Sequence, residues 1–183
     1  MGLLDCLAGL IIACNPAVAT PPARVYAVKP SEVAIPAGET LGEYRRIVHP
    51  FKNWILICDE SLKSKHRVCN ITQSIVDELG AVAFNWSLVA TADGKPLMMM
   101  RIPATAGVGQ TIELAMGDRP DRIRVQTDRC DQAYCHAVIA IGDMLKRHIR
   151  AGTICAVSYA LSAGPVTLQA PLDGLFAALA EAK

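Results

Sequence analysis

From Trp54 onward the chain repeatedly alternates apolar and polar residues, in short runs that turn residues separate. The clearest run is 82–89. Val82, Phe84, Trp86 and Leu88 share one face, and Ala83, Asn85 and Ser87 share the other. Alternation with period two is the mark of a half-buried strand. Ile112, Leu114 and Met116 alternate with Thr111, Glu113 and Ala115, and Ile123, Val125 and Thr127 alternate with Arg122, Arg124 and Gln126. Trp54 to Cys58, Val68 to Gln73, Leu97 to Ile102, Ala133 to Ile141, Thr153 to Leu161 and Val166 to Ala170 extend the set. Asp93-Gly94 marks a turn, and Pro103 closes the strand before it. In Met98-Met99-Met100, Met99 points away from its two neighbours, which predicts a central strand covered on both faces.

Two segments change period. Ile141, Leu145 and Ile149 fall four apart, and Gly152 can stop that helix. Leu172, Leu175, Phe176 and Leu179 form the stripe of a second helix. Many antiparallel strands with two short helices predict a mainly β chain, an antiparallel β-sandwich or a flattened barrel.

The first 50 residues read differently. Residues 3–14 are mostly apolar but too few to span a bilayer, and Ala17-Val18-Ala19 has the small-x-small form of a cleavage site. Residues 1–19 are therefore expected to be a leader. On a rival reading Ile11-Ile12-Ala13-Cys14 is a lipobox, and Cys14 carries the lipid. Residues 20–50 hold Pro21, Pro22, Pro30, Pro36 and Pro50 with no sustained period, and they read as an extended spacer ahead of a domain over 51–183.

Composition narrows the function classes. The chain has 183 residues, 19% of them charged, and net charge +1. That balance gives no broad attraction for nucleic acid or anionic lipid. At 5% aromatic residues the chain is also poor in base-stacking platforms. A membrane association is expected only through the Cys14 anchor.

Four of the seven cysteines form two close pairs, Cys58 with Cys69 and Cys130 with Cys135. A leader followed by closely spaced cysteines points to export and oxidation, in the periplasm, at the cell surface or outside. Four cysteines permit three connectivities; local pairing is favoured because it needs no assumption about strand order. The spacings C-x10-C and C-x4-C are not those of zinc knuckles or of a redox C-x-x-C motif, so no metal site is expected. Cys155 is in phase with Val157 and Tyr159 and should be a buried thiol.

Other candidates are weaker. Lys63, Lys65, His66 and Arg67 form a basic loop between the first two cysteines that could meet an anionic partner. Gln73 and His136 are candidates for a polar contact. Arg119, Arg122, Arg124 and Arg129 alternate with Asp118, Asp121 and Asp128, which reads as a solvated face of local ion pairs. The four histidines are scattered, no G-x-S-x-G is present, and Gly107-Val108-Gly109 reads as a turn. No catalytic residue and no cofactor emerge.

From Trp54 to the C-terminus the chain resembles the invasion-associated locus B (IalB) family of exported bacterial proteins. The resemblance rests on Phe51-Lys52-Asn53-Trp54 followed by Cys58, on Cys69-Asn70-Ile71-Thr72-Gln73, and on Arg101-Ile102-Pro103. The Cys130–Cys135 pair with Ala137, the Ala151-Gly152 step and the Leu172–Leu179 segment continue it. Lys52 and Asn53 depart from the family's small and acidic residues, and Tyr134 from its glycine. The resemblance implies a β-rich periplasmic or surface protein without known catalytic residues, with a proposed role in host association for some members. The expected function is binding of an unidentified protein, envelope or host-surface ligand. The alternatives are a thiol-dependent envelope enzyme or redox protein, and a structural envelope component.

Overall fold

Eleven strands, two helices and one 3-10 turn fill the computed structural model, which describes Gly38 and residues 40–90, 95–117 and 121–182. The leader, its cleavage site and Cys14 lie outside the described residues, as do Asp93-Gly94 and Asp118 to Pro120.

Seven strands form one antiparallel sheet. They are β1 (Tyr44–Phe51), β2 (Trp54–Ser61), β3 (Arg67–Val76), β4 (Val82–Ala90), β5 (Pro96–Pro103), β8 (Arg129–Cys130) and β9 (Tyr134–Ala140), in the order β1-β2-β3-β4-β5-β9-β8. The second sheet is β11 (Gly164–Pro171), β10 (Ile154–Leu161), β6 (Thr111–Met116) and β7 (Asp121–Gln126), in that order and again antiparallel. The sheets are separate, so the fold is a sandwich and not a flattened barrel.

The alternation in the sequence becomes the core. Phe84 and Trp86 of β4, Met98, Met100 and Ile102 of β5, and Ile112, Leu114 and Met116 of β6 are fully buried. Trp54 and Trp86 stack at 5.3 Å between ring centroids, and Phe84 meets Trp86 edge-on at 5.4 Å. Met99, out of phase, is half-buried on the opposite face of the central strand β5. Tyr159 of β10 donates its hydroxyl to Ala83 O of β4 at 2.6 Å and so ties one sheet to the other.

Helix α1 is Asp143–Ala151 and packs Leu145 and Ile149 inward. Gly152 ends it in the left-handed region, its N–H reaching His148 O and Ile149 O. Helix α2 is Leu175–Glu181. Ile141 and Leu172, read as the first positions of the two helical stripes, precede the helices yet are buried. Thr127 also falls outside its strand. It is buried because its hydroxyl donates to Gly107 O and accepts from Gln110 N.

One strand departs from the sequence reading. β1 occupies Tyr44–Phe51, the end of the stretch read as a spacer. It pairs with β2 along its whole length, from Tyr44↔Ser61 to Phe51↔Trp54. As an edge strand it tolerates Pro50, whose missing N–H would break a ladder further inside the sheet.

Candidate functional site

Several residues that carry the sequence pattern turn out to close one end of the sandwich. Gln73 is buried on β3. Its amide nitrogen donates to Asn53 O and Pro171 O, both at 3.0 Å, and its amide oxygen accepts from Trp86 Nε1 at 2.8 Å. Trp54 Nε1 also donates to Pro171 O, at 3.1 Å. Lys52, in the β1–β2 turn, pairs with Asp173 at 2.7 Å. Gly174 sits beneath that turn at φ +95°, where an added Cβ would lie 2.1 Å from Phe51 O. Only glycine fits there. Gln73 is thus a fastener between strands and is not free to meet a ligand.

Both local cysteine pairs are bonded. Cys58–Cys69 joins β2 to β3, and Cys130–Cys135 joins β8 to β9. Each link ties residues that face one another in register. Both links lie in the seven-stranded sheet, one towards each of its edges. Cys155 is a buried free thiol, and burial pushes its pKa up to about 12. At neutral pH it holds almost no thiolate, the form that attacks electrophiles.

The basic loop is exposed at Lys63, Lys65, His66 and Arg67. Arg67 reaches back to the sulfur of Cys58 at 3.1 Å. On the outer side of the smaller sheet, Glu113 pairs with Arg122 and, at 2.7 Å, with Arg124. Those arginines hold the Glu113 carboxyl below the usual range, Arg124 most strongly.

A different cluster stands on the outer face of the seven-stranded sheet, the face turned away from the core. Register lines up His136 (β9), Arg101 (β5), Asn85 (β4) and Ser74 (β3) across four strands. Arg101 Nη1 donates to Asn85 Oδ1 at 2.7 Å and to Ser87 Oγ at 3.1 Å. Asn85 Nδ2 donates in turn to Thr72 Oγ1, Gln73 O and Ser74 Oγ. Nε and Nη2 of Arg101 have no partner among the described residues, which leaves three N–H donors of a half-buried guanidinium without a protein partner there.

His136 stands beside Arg101 in register and is 9% exposed. Its Nε2 meets Asp131 Oδ2 at 2.7 Å, while Nδ1 is buried and lacks a partner among the described residues. Asp131 Oδ1 accepts the Ala133 and Tyr134 backbone N–H groups at 2.8 Å. The bond to His136, with those two N–H groups, lowers the Asp131 pKa to about 2. The adjacent row of the same face is mostly apolar: Val138, Met99, Ser87, Thr72, Ile55 and Pro50. Ile55 is 41% exposed. A guanidinium with free donors, fixed on a bed of hydroxyls and an amide beside apolar surface, can seat an acidic or amide group.

The structure does not bring the sequence candidates together. Arg67 and Ser74 are seven residues apart on one strand, about 23 Å at ~3.3 Å per residue. The basic loop is therefore far from the polar row, and Gln73 faces inward. Of the five candidates, His136 alone joins the row. Arg101 is in phase opposite Met100 and Ile102, which is the one sequence signal that it stands on the outer face.

Known proteins place this framework. The crystal structure of invasion associated protein B from Bartonella henselae superposes with a TM-score of 0.62 over 74% of this chain and 94% of that one. At 21% identity the likeness is one of fold. No curated protein matches the chain in sequence. The family model described as invasion associated locus B (IalB) protein matches residues 54–183. That span takes in the bonded cysteines, the Gln73 fastener and the polar row, and with it the chain belongs to the IalB family.

Proposed function

We propose that this chain is an exported, non-catalytic binding protein of the bacterial envelope or cell surface, and that the outer face around Arg101 meets its partner. Residues 1–19 serve as the leader, cleaved after Ala19 or lipidated at Cys14, and the chain ahead of β1 is the spacer. The observation that carries the reading is the pairing of two features in one sheet. Its flanks are fastened by both disulfides, and its outer face carries a rigid, half-buried polar row. Bonds of this kind persist in oxidising compartments. A braced sheet holds Arg101 in place at little entropic cost on binding. The family's name, invasion associated locus B, and that of the Bartonella henselae protein favour a host-surface ligand as partner. The buried, high-pKa Cys155 supports binding over a thiol-dependent activity.

Native cells give the test. Fractionation with thiol trapping and intact mass should recover a processed chain outside the cytosol, with Cys58, Cys69, Cys130 and Cys135 bridged. Cys155 should alkylate only after unfolding. Arg101→Ala should weaken attachment of the purified protein to host cells or envelopes at least tenfold, with its fold kept. An unprocessed cytosolic chain with all thiols free overturns the export reading, and unchanged attachment overturns the site.

A further inference from the structure

A second surface, apart from the Arg101 row, is concave. The two helices and the ends of β4 and β5 enclose a groove of about 380 Å³, with Leu88, Pro96, Ile141, Ile149, Phe176 and Leu179 on its walls. The volume falls in the range of small-molecule sites, ~300–1,000 Å³. Phe176 at its lip is 55% exposed, a large aromatic side chain left facing water. A second depression of about 470 Å³ continues past Ile149, Arg150 and Phe176 to Phe51 and Lys52, so the concavity is elongated.

Two cations edge this apolar trough. Lys146 and Arg150 lie four apart on α1, on one face, and both are exposed and line the groove. Arg150 has no hydrogen-bond or ion-pair partner among the described residues. Lys146 is engaged by the exposed Asp143 at 3.2 Å, a surface pair worth little. The carboxylate in the second depression, Asp173, is already paired with Lys52.

We propose that this groove binds a single-chain fatty-acid carboxylate, with its alkyl chain along Ile149, Phe176 and Leu179 and its head on Arg150 and Lys146. Charge and shape select the occupant. The apolar groove takes an alkyl chain, and an unpaired guanidinium at its edge takes the carboxylate, by the bidentate geometry such pairs favour. The groove shares no residue with the Arg101 row, so the two proposals stand or fall separately.

The test is calorimetric titration of the oxidised full-length protein with monomeric sodium dodecanoate. Saturable 1:1 binding is expected, at least tenfold tighter than for octanoate and for dodecyltrimethylammonium. Arg150→Glu combined with Lys146→Glu should weaken dodecanoate at least tenfold. Ala180→Trp, which fills the groove from an exposed position, should do the same. Both variants should keep the far-UV and near-UV spectra of the parent. Absence of saturable binding, equal affinity for the cationic amphiphile, or unchanged affinity in the variants overturns the proposal. Binding to phosphatidylglycerol vesicles without binding of free dodecanoate overturns it in favour of a membrane surface. A dimer that the variants dissolve overturns it in favour of a second copy of the chain.

Discussion

Gln73 shows how one side chain can be decisive without touching a ligand. Its amide supplies two donated bonds and one accepted bond inside the core, where each unmet group costs roughly 1–3 kcal/mol. Gln73→Leu keeps the bulk but strands Trp86 Nε1 and Asn53 O, while Pro171 O keeps its bond from Trp54. A loss of about 2–4 kcal/mol is expected in urea unfolding. Asp131 belongs to the same scale. Its carboxyl titrates near 2 in the folded chain, below its usual 3.8, so its ionised form favours folding. That contribution is complete above about pH 5 and fades as pH falls from there through the folded pKa of about 2. Asp131→Asn should remove this component from the stability–pH curve in that window, read by urea unfolding at a series of pH values.

Strands were legible wherever one face met the core and the other did not, because such a strand must alternate. β4 and β6 are the plainest instances. β1 was not legible: as an edge strand with Arg45, Arg46 and His49 exposed, it has little apolar rhythm, and Pro50 argues for a loop. Its partner β2 supplies what its own residues do not declare. The polar row was hidden for a related reason. Asn85, Ser87 and Arg101 each advertise the outer face of their own strand, but their neighbourhood depends on the register of four strands, which no single segment encodes. The local cysteine links belong to this scale. From their loop lengths, removal of Cys58–Cys69 should cost about 2.8 kcal/mol and removal of Cys130–Cys135 about 2 kcal/mol. Paired Cys→Ala variants unfolded in urea give both numbers. The larger loss should come from the β2–β3 link, and the reverse order would mean that strain or residual structure in the unfolded chain dominates.

Across the whole molecule, the two layers differ in how they are held. The larger sheet carries both sulfur bridges, and the smaller sheet carries none among the described residues. The layers meet through buried aliphatic and aromatic side chains and a few hydrogen bonds, such as Tyr159 to Ala83 and Gln73 to Pro171. Apolar contact weakens on cooling and in urea; a covalent bond does not. The molecule is therefore built like a stiff plate with a lighter leaf pressed against it. In mild urea near 0 °C, amides of β6 and β10 should exchange with deuterium before those of β2, β3 and β9, as the leaf lifts from a plate that stays whole. Reduction should abolish the difference, because the rivets that set the order would then be gone.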